Sequence, residues 1–157
     1  MPKLFRLQNE IGLKLSSSLE DYLESIYLIQ RDQTVARMKD IASRLGVTAP
    51  SVTGAIKSLN KLGLVEHSNY GYVKLSETGG KIAADIFRVH QALTDFLHII
   101  LGLDYQKAES DACRIEHSIE PETVRRLADF LEFAISPSKG CKGCAQKFNE
   151  WYLEKDK

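Results

Sequence analysis

Two short helical patterns separated by a glycine-containing turn lie in the N-terminal half of the chain. The first has apolar residues at i, i+3, i+4 and i+7, the spacing of one face of an α-helix: Met38, Ile41, Ala42 and Leu45. Gly46-Val47-Thr48 then forms a predicted turn. A second helix is predicted to begin near Pro50, since proline is tolerated where first-turn amides lack intrahelical partners. Two short helices joined by such a turn are typical of a helix-turn-helix.

A longer helix is predicted before this unit and a β-hairpin after it. Residues 17–30 carry a broad apolar stripe, and serines at 16–18 can cap the helix N-terminus. After Gly63, residues 64–67 and 72–75 are predicted to form two strands on either side of Ser-Asn-Tyr-Gly. Residues 1–78 are therefore predicted to form a winged helix-turn-helix domain.

The second helix of a helix-turn-helix presents its N-terminal residues to base edges in the major groove, while basic side chains contact phosphates. The predicted DNA-binding residues are Arg37, Lys39, Thr48, Pro50, Ser51, Thr53, Lys57 and Lys61. Residues 1–84 hold 11 Lys and Arg against 8 Asp and Glu, a weak additional pointer to a polyanion. The alternative is a three-helix bundle with a hairpin, whose hydroxyls are ordinary surface groups.

The second half, residues 79–157, is predicted to be helical throughout. A long helix runs from Thr78 to Gly102, a second spans 104–119, a third spans 121–133, and a short amphipathic tail follows. This half has little core of its own, so we expect it to dimerise through the long apolar helix. The predicted fold class is mainly α, with the winged domain followed by a helical dimerisation and metal-binding domain.

Three ligand-type residues occur at i, i+3 and i+4 in the second of these helices: Cys113, Glu116 and His117. Residues at this spacing share one face of a helix. Thiolate, carboxylate and imidazole together are typical of sites for iron, cobalt, nickel or zinc, and three ligands would need further donors. The alternative is a solvated polar helix face.

Four segments carry a family resemblance: SLEDYLESIYLI, KDIASRLGVTAPSVTGAIKSLNKLGLV, HQALTDFL and DACRIEH. In this order, over roughly residues 16–135, the chain resembles the diphtheria-toxin-repressor family of iron- and manganese-dependent transcriptional regulators, in its short form without an SH3-like domain. The resemblance implies a homodimeric repressor of metal uptake or homeostasis genes that binds a palindromic double-stranded DNA operator. Fe(II) or Mn(II) would be the corepressor, with other divalent transition metals possible in vitro.

The resemblance also implies metal ligands from both halves of the chain. The implied set is Asp21, Glu24, His90, Cys113, Glu116 and His117. Iron-type members resemble this chain at Cys113, whereas manganese-type members share Asp21 and Glu24, so the set is a hybrid. Thr94 replaces an acidic residue of the second metal site of iron-type members, and Gly54 replaces a base-facing polar residue.

Other classes of function have less support from the sequence. A metal enzyme with Glu116 as general base lacks a nucleophile or oxyanion motif, so no enzymatic activity is expected. A metal-independent winged-helix regulator that senses a small molecule or partner is the remaining alternative. Cys141 and Cys144 could form half of a zinc site, a redox pair or two loop thiols.

The longest apolar stretch, residues 96–103, is far too short to cross a membrane, and no signal peptide is visible. We therefore expect no membrane partner and a cytoplasmic protein.

Overall fold

The computed structural model describes residues 12–68, 71–136 and 143–155. Its helices and strands in chain order are α1 (Ser17–Asp32), β1 (Ala36–Arg37), α2 (Met38–Leu45), α3 (Ala49–Lys61), β2 (Val65–His67), β3 (Tyr72–Leu75), α4 (Glu77–Asp95), a π-helical segment (Phe96–Ile100), α5 (Tyr105–Ile115), α6 (Pro121–Ile135) and α7 (Cys144–Lys155). The predicted order, a winged helix-turn-helix followed by helices, is confirmed.

The chain divides into two compact units, the first ending at Phe87 and the second beginning at Arg88. The division falls inside α4, which contributes residues to both units. The domain boundary between residues 78 and 79 stays a prediction.

Helix α1 begins where the side chain of Ser16 accepts a hydrogen bond from the backbone N–H of Leu19, at 3.4 Å. The helix ends at Asp32, two residues beyond its predicted end. Its apolar stripe is buried in the core of the first unit, where Leu23 and Ile26 are fully enclosed. Burial of this stripe, more than intrinsic helix propensity, stabilises α1.

The helix-turn-helix consists of α2 and α3, as predicted. Helix α2 ends at Gly46, whose φ of 64° is the left-handed conformation that favours glycine. Pro50 stands in the first turn of α3, as expected from its missing N–H. One face of α3 is buried against the core, through Val52, Ala55, Ile56 and Leu59. The opposite face of α3 is exposed to solvent.

Three short antiparallel strands form the sheet, in the order β1–β3–β2. Ala36 pairs with Val73, and Val65 pairs with Leu75. Strand β1 was not predicted, because two residues cannot show the period-2 alternation that reveals a strand. Strand β2 begins at Val65, one residue later than predicted. In the predicted hairpin turn, residues 69 and 70 lie outside the described residues.

The long helix predicted from Thr78 to Gly102 is divided. Helix α4 ends at Asp95, and a π-helical segment continues to Ile100. The apolar side chains of α4, among them Ile82, Val89 and Leu93, are already buried within one chain. Phe96 and Leu97, which belong to the same predicted stripe, are only partly buried, and dimerisation through this helix stays a prediction.

Helix α5 begins where Asp104 Oδ1 accepts hydrogen bonds from the backbone N–H groups of Gln106 and Lys107, at 3.0 and 3.3 Å. It ends at Ile115, not at 119 as predicted. The expected amphipathic tail is helix α7, whose Trp151 side chain is 54% exposed. Cys141 lies outside the described residues, so the proposed roles of the Cys141–Cys144 pair stay predictions.

Candidate metal centre

A carboxylate lies buried in the second unit, at the C-terminal end of α5. The side chain of Glu116 is only 2% exposed. Its backbone N–H donates to the carbonyl of Ala112 at 2.9 Å, so helical geometry continues through this residue although the helix ends at Ile115. Burial of a carboxyl group requires partners that compensate for the lost contact with water.

Two imidazoles flank this carboxylate. Nδ1 of His90, on α4, lies 2.8 Å from Oε2 of Glu116. Nε2 of His117 lies 3.4 Å from Oε1 of Glu116, and no hydrogen bond forms there. The two imidazole side chains are 14% and 15% exposed, so this cluster is largely shielded from solvent. His90 is thus brought to Glu116 from 26 positions away in the sequence.

The donor set fits a divalent transition metal ion. Among the described residues, Glu116 Oε1 is buried without a hydrogen-bond donor, which is unfavourable for an ionised oxygen. Imidazole nitrogen and carboxylate oxygen are donors that iron, manganese and zinc accept. A cation held by His90, Glu116 and His117 would satisfy the buried oxygen.

The other predicted ligands are Cys113 on α5 and Asp21 and Glu24 on α1. Cys113 is exposed on α5 and its thiol forms no disulfide. Because α5 ends at Ile115, the face predicted for Cys113, Glu116 and His117 is helical only in its first part. Asp21 and Glu24 are partly buried on α1 in the first unit, separated by one helical turn. Ligation by these three residues stays a prediction.

Thr94 is a polar residue that lies in the core of the second unit. The residue is 1% exposed, and its hydroxyl has no hydrogen-bond partner among the described residues. Thr94→Val is therefore expected to raise the free energy of unfolding by about 1 kcal/mol, because it replaces an unsatisfied hydroxyl with a methyl group. Urea unfolding of the metal-free protein measures this change.

The matched control is Thr123→Val at an exposed position, which should change the free energy of unfolding by less than about 0.5 kcal/mol. Equal destabilisation by both variants would contradict the assignment of Thr94 as an unsatisfied core residue.

The predicted DNA-binding residues are all exposed: Arg37, Lys39, Thr48, Pro50, Ser51, Thr53, Lys57 and Lys61. The hydroxyls near the start of α3 bond locally. Thr48 Oγ1 and Ser51 Oγ are 2.9 Å apart, and Thr53 Oγ1 donates to the carbonyl of Ala49 at 3.0 Å. Gly54 is also exposed, with open space where a side chain would project. DNA contact by these residues stays a prediction.

None of the helices in the described part of the chain is long and apolar enough to cross a membrane.

Two family models match consecutive parts of the chain. The iron dependent repressor N-terminal DNA binding domain matches residues 14–73, and the iron dependent repressor metal binding and dimerisation domain matches residues 76–141. The chain belongs to the iron-dependent repressor family. The resemblance predicted from the sequence is confirmed, and the family is one of transcriptional regulators.

Relatives of known sequence agree with membership in the iron-dependent repressor family. The chain is 36% identical over 119 residues to an uncharacterized HTH-type transcriptional regulator of Methanocaldococcus jannaschii, a match covering 75% of this chain and 95% of the relative. It is 34% identical over 116 residues to the HTH-type transcriptional regulator MntR of Bacillus subtilis, covering 74% and 81%.

Solved structures also match. A manganese-dependent transcriptional repressor in complex with manganese has a TM-score of 0.68 and 31% identity, covering 73% of this chain. This chain spans between 53% and 59% of the lengths of three solved structures that it matches, this repressor included.

Proposed function

We propose that this chain is a divalent-metal-activated, DNA-binding transcriptional repressor that responds to Fe(II) or Mn(II) and controls genes of metal uptake or homeostasis. The observation that carries the proposal is the buried Glu116 carboxylate between His90 and His117. Membership in the iron-dependent repressor family supports it, as does the similarity to a manganese-dependent transcriptional repressor.

The proposed ligands are His90, Glu116 and His117, completed by Cys113 on α5 and by Asp21 and Glu24 on α1. When bound, a divalent cation supplies the positive charge that allows several carboxylates to converge and joins donors from both units. The exposed Cys113 thiol favours iron over manganese, because manganese binds thiolates least well among the candidates. Asp21 and Glu24 are hard oxygen donors that suit either ion.

The proposed DNA surface is the exposed side of α3 together with Arg37 and Lys39. Two copies of this surface in a homodimer would read a palindromic operator, whose half-sites lie about 34 Å apart or a multiple of that distance. Metal and DNA must then raise each other's affinity by the same factor, because the two binding equilibria are linked.

The chain is proposed to act without catalysing a reaction. Glu116, the carboxylate that a metal enzyme would use as general base, is enclosed between two imidazoles and is only 2% exposed. A residue in that position serves as a ligand better than as a base that must reach a substrate.

An anaerobic DNA-binding experiment tests the proposed function. A duplex is first selected from a random-sequence pool by the Mn(II)-loaded protein. Its affinity is then measured by gel shift with and without Fe(II) or Mn(II), and we expect a gain of roughly 5–150-fold on metal addition. Equal affinity in both conditions would show a metal-independent regulator, and the absence of any selected duplex would argue against DNA binding.

The combined variant Asp21→Ala with Glu24→Ala is expected to lose this metal-induced gain, because the proposed ion would no longer have donors on α1. Its metal-free affinity for the selected duplex should remain close to that of the wild type. Gel shifts across a Mn(II) titration measure both quantities.

The exposed Asp32→Ala variant, on the same helix, is the control and should retain the full response. If the double variant also retains it, a metal that ties α1 to the second unit is not the basis of activation.

A further inference from the structure

The side-chain amide of Gln30 bridges two backbone groups at the end of the β1–β3 ladder. Its Oε1 accepts a hydrogen bond from the backbone N–H of Leu75 at 2.8 Å, and its Nε2 donates to the carbonyl of Thr34 at 2.9 Å. A single side chain thus connects positions 34 and 75, which lie on opposite sides of the helix-turn-helix in sequence.

In the register of the β1–β3 ladder, the backbone N–H of Leu75 and the carbonyl of Thr34 would form the next hydrogen bond between the strands. Ala36 pairs with Val73, and the backbone N–H of Met38 donates to the carbonyl of Gly71 at 3.4 Å. Hydrogen-bonded positions alternate along an antiparallel pair, so the same register continues to Thr34 opposite Leu75. Strand β1 begins only at Ala36, and the Gln30 amide takes the place of the missing backbone bond.

Gln30 belongs to the same helix as two proposed metal ligands. At 100° per residue, the nine positions from Asp21 to Gln30 amount to two and a half turns of helix, so the two side chains leave α1 on opposite faces. They are separated along the axis by about 14 Å. Between them, Leu23 and Ile26 are fully buried, which holds α1 in the core of its unit.

The other end of the β1–β3 ladder carries a proposed DNA contact. Arg37 pairs with Tyr72 in the ladder, and its guanidinium lies 5.7 Å from the centre of the Tyr72 ring. Arg37 is exposed and immediately precedes α2. The strand pair held by Gln30 therefore reaches the proposed phosphate-binding surface.

We propose that Gln30 is a positioning residue that couples metal binding on α1 to DNA binding, by locking the β1–β3 ladder and Arg37 to the helix that carries Asp21 and Glu24. The proposal rests on the proposed function. Gln30 contacts neither metal nor DNA in this scheme, and it acts through the two backbone groups that its amide joins.

The test is Gln30→Met, which keeps the length of the side chain and removes both hydrogen bonds. The matched control is Gln33→Met, at an exposed glutamine that follows the same helix. For each protein, affinity for the selected duplex is measured with and without Mn(II), and Mn(II) affinity is measured in the absence of DNA by calorimetry.

We expect Gln30→Met to reduce the Mn(II)-induced gain in DNA affinity by about fivefold or more, within the range of typical couplings. Its Mn(II) affinity without DNA should stay within about twofold of the wild type, because no proposed ligand has changed. Gln33→Met should retain the wild-type gain. An unchanged gain in Gln30→Met would overturn the proposal, and so would an equal loss of DNA affinity with and without metal, the result of a purely structural role.

Failure of this inference is distinguishable from failure of the proposed function. If wild-type protein does not respond to Mn(II) or Fe(II), the proposed function fails; if it responds and Gln30→Met responds equally, only the coupling role fails. Should Gln30→Met not fold, Gln30→Glu replaces it. That variant keeps an acceptor for the Leu75 N–H but has no donor for Thr34, and the same two outcomes apply.

Discussion

Replacing Glu116 with glutamine is expected to abolish metal activation while leaving the metal-free fold intact. The amide keeps the size of the side chain and can still bond to His90, which lies 2.8 Å from the present carboxylate. It removes the negative charge and the buried oxygen that accepts no hydrogen bond from the described residues. The roughly 5–150-fold gain in DNA affinity on adding Fe(II) or Mn(II) should disappear.

Anaerobic gel shifts with the selected duplex measure this loss, and circular dichroism during urea unfolding reports the metal-free stability. Glu120→Gln is the matched control, since Glu120 is exposed four residues further on and its side chain makes no capping hydrogen bond at the start of α6. It should respond to metal as the wild type does. A full metal response in Glu116→Gln would contradict the role of Glu116 as a metal ligand, on which the proposed function rests.

Gly79→Ala is expected to destabilise the first unit strongly, by about 3 kcal/mol or more, as overpacking against backbone does. A Cβ at this position would lie 1.9 Å from the carbonyl oxygen of Leu64 and 2.8 Å from its carbonyl carbon. The same carbonyl accepts a hydrogen bond from the backbone N–H of Ser76 at 3.0 Å. It cannot move away without breaking this bond, which holds the junction of β3 and α4 to the residue that precedes β2. Urea or thermal unfolding of the metal-free protein measures the effect.

Gly80→Ala is the control, because a Cβ there meets nothing within 4 Å in the described structure. Alanine is favoured over glycine inside a helix, and this variant should gain roughly 0.5–1 kcal/mol. Opposite signs for two adjacent substitutions would establish that close approach to Leu64, and not helix propensity, requires glycine at position 79. Similar stability of the two variants would contradict this reason.

Most helices and the helix-turn-helix could be predicted because their determinants are local. Apolar spacing located α1, α2 and α3, and Gly46 marked the end of α2 through its left-handed backbone. The two-residue strand β1 could not be predicted, since no alternation is visible over that length and it exists only through pairing with β3. Gln30 was missed for the same reason, because its partners are Thr34 and a residue 45 positions away.

The metal centre was likewise predictable from the sequence only in part. Spacing within ten residues singled out Cys113, Glu116 and His117, and the resemblance to a metal-dependent family added His90. Spacing alone left a solvated helix face as an equal alternative for that cluster. Burial of Glu116 to 2% exposure and its 2.8 Å approach to His90 come from packing between α4 and the end of α5. Local sequence specifies which donors stand close along the chain. The solvent exclusion that makes an unsatisfied carboxylate oxygen costly arises only when distant helices pack together.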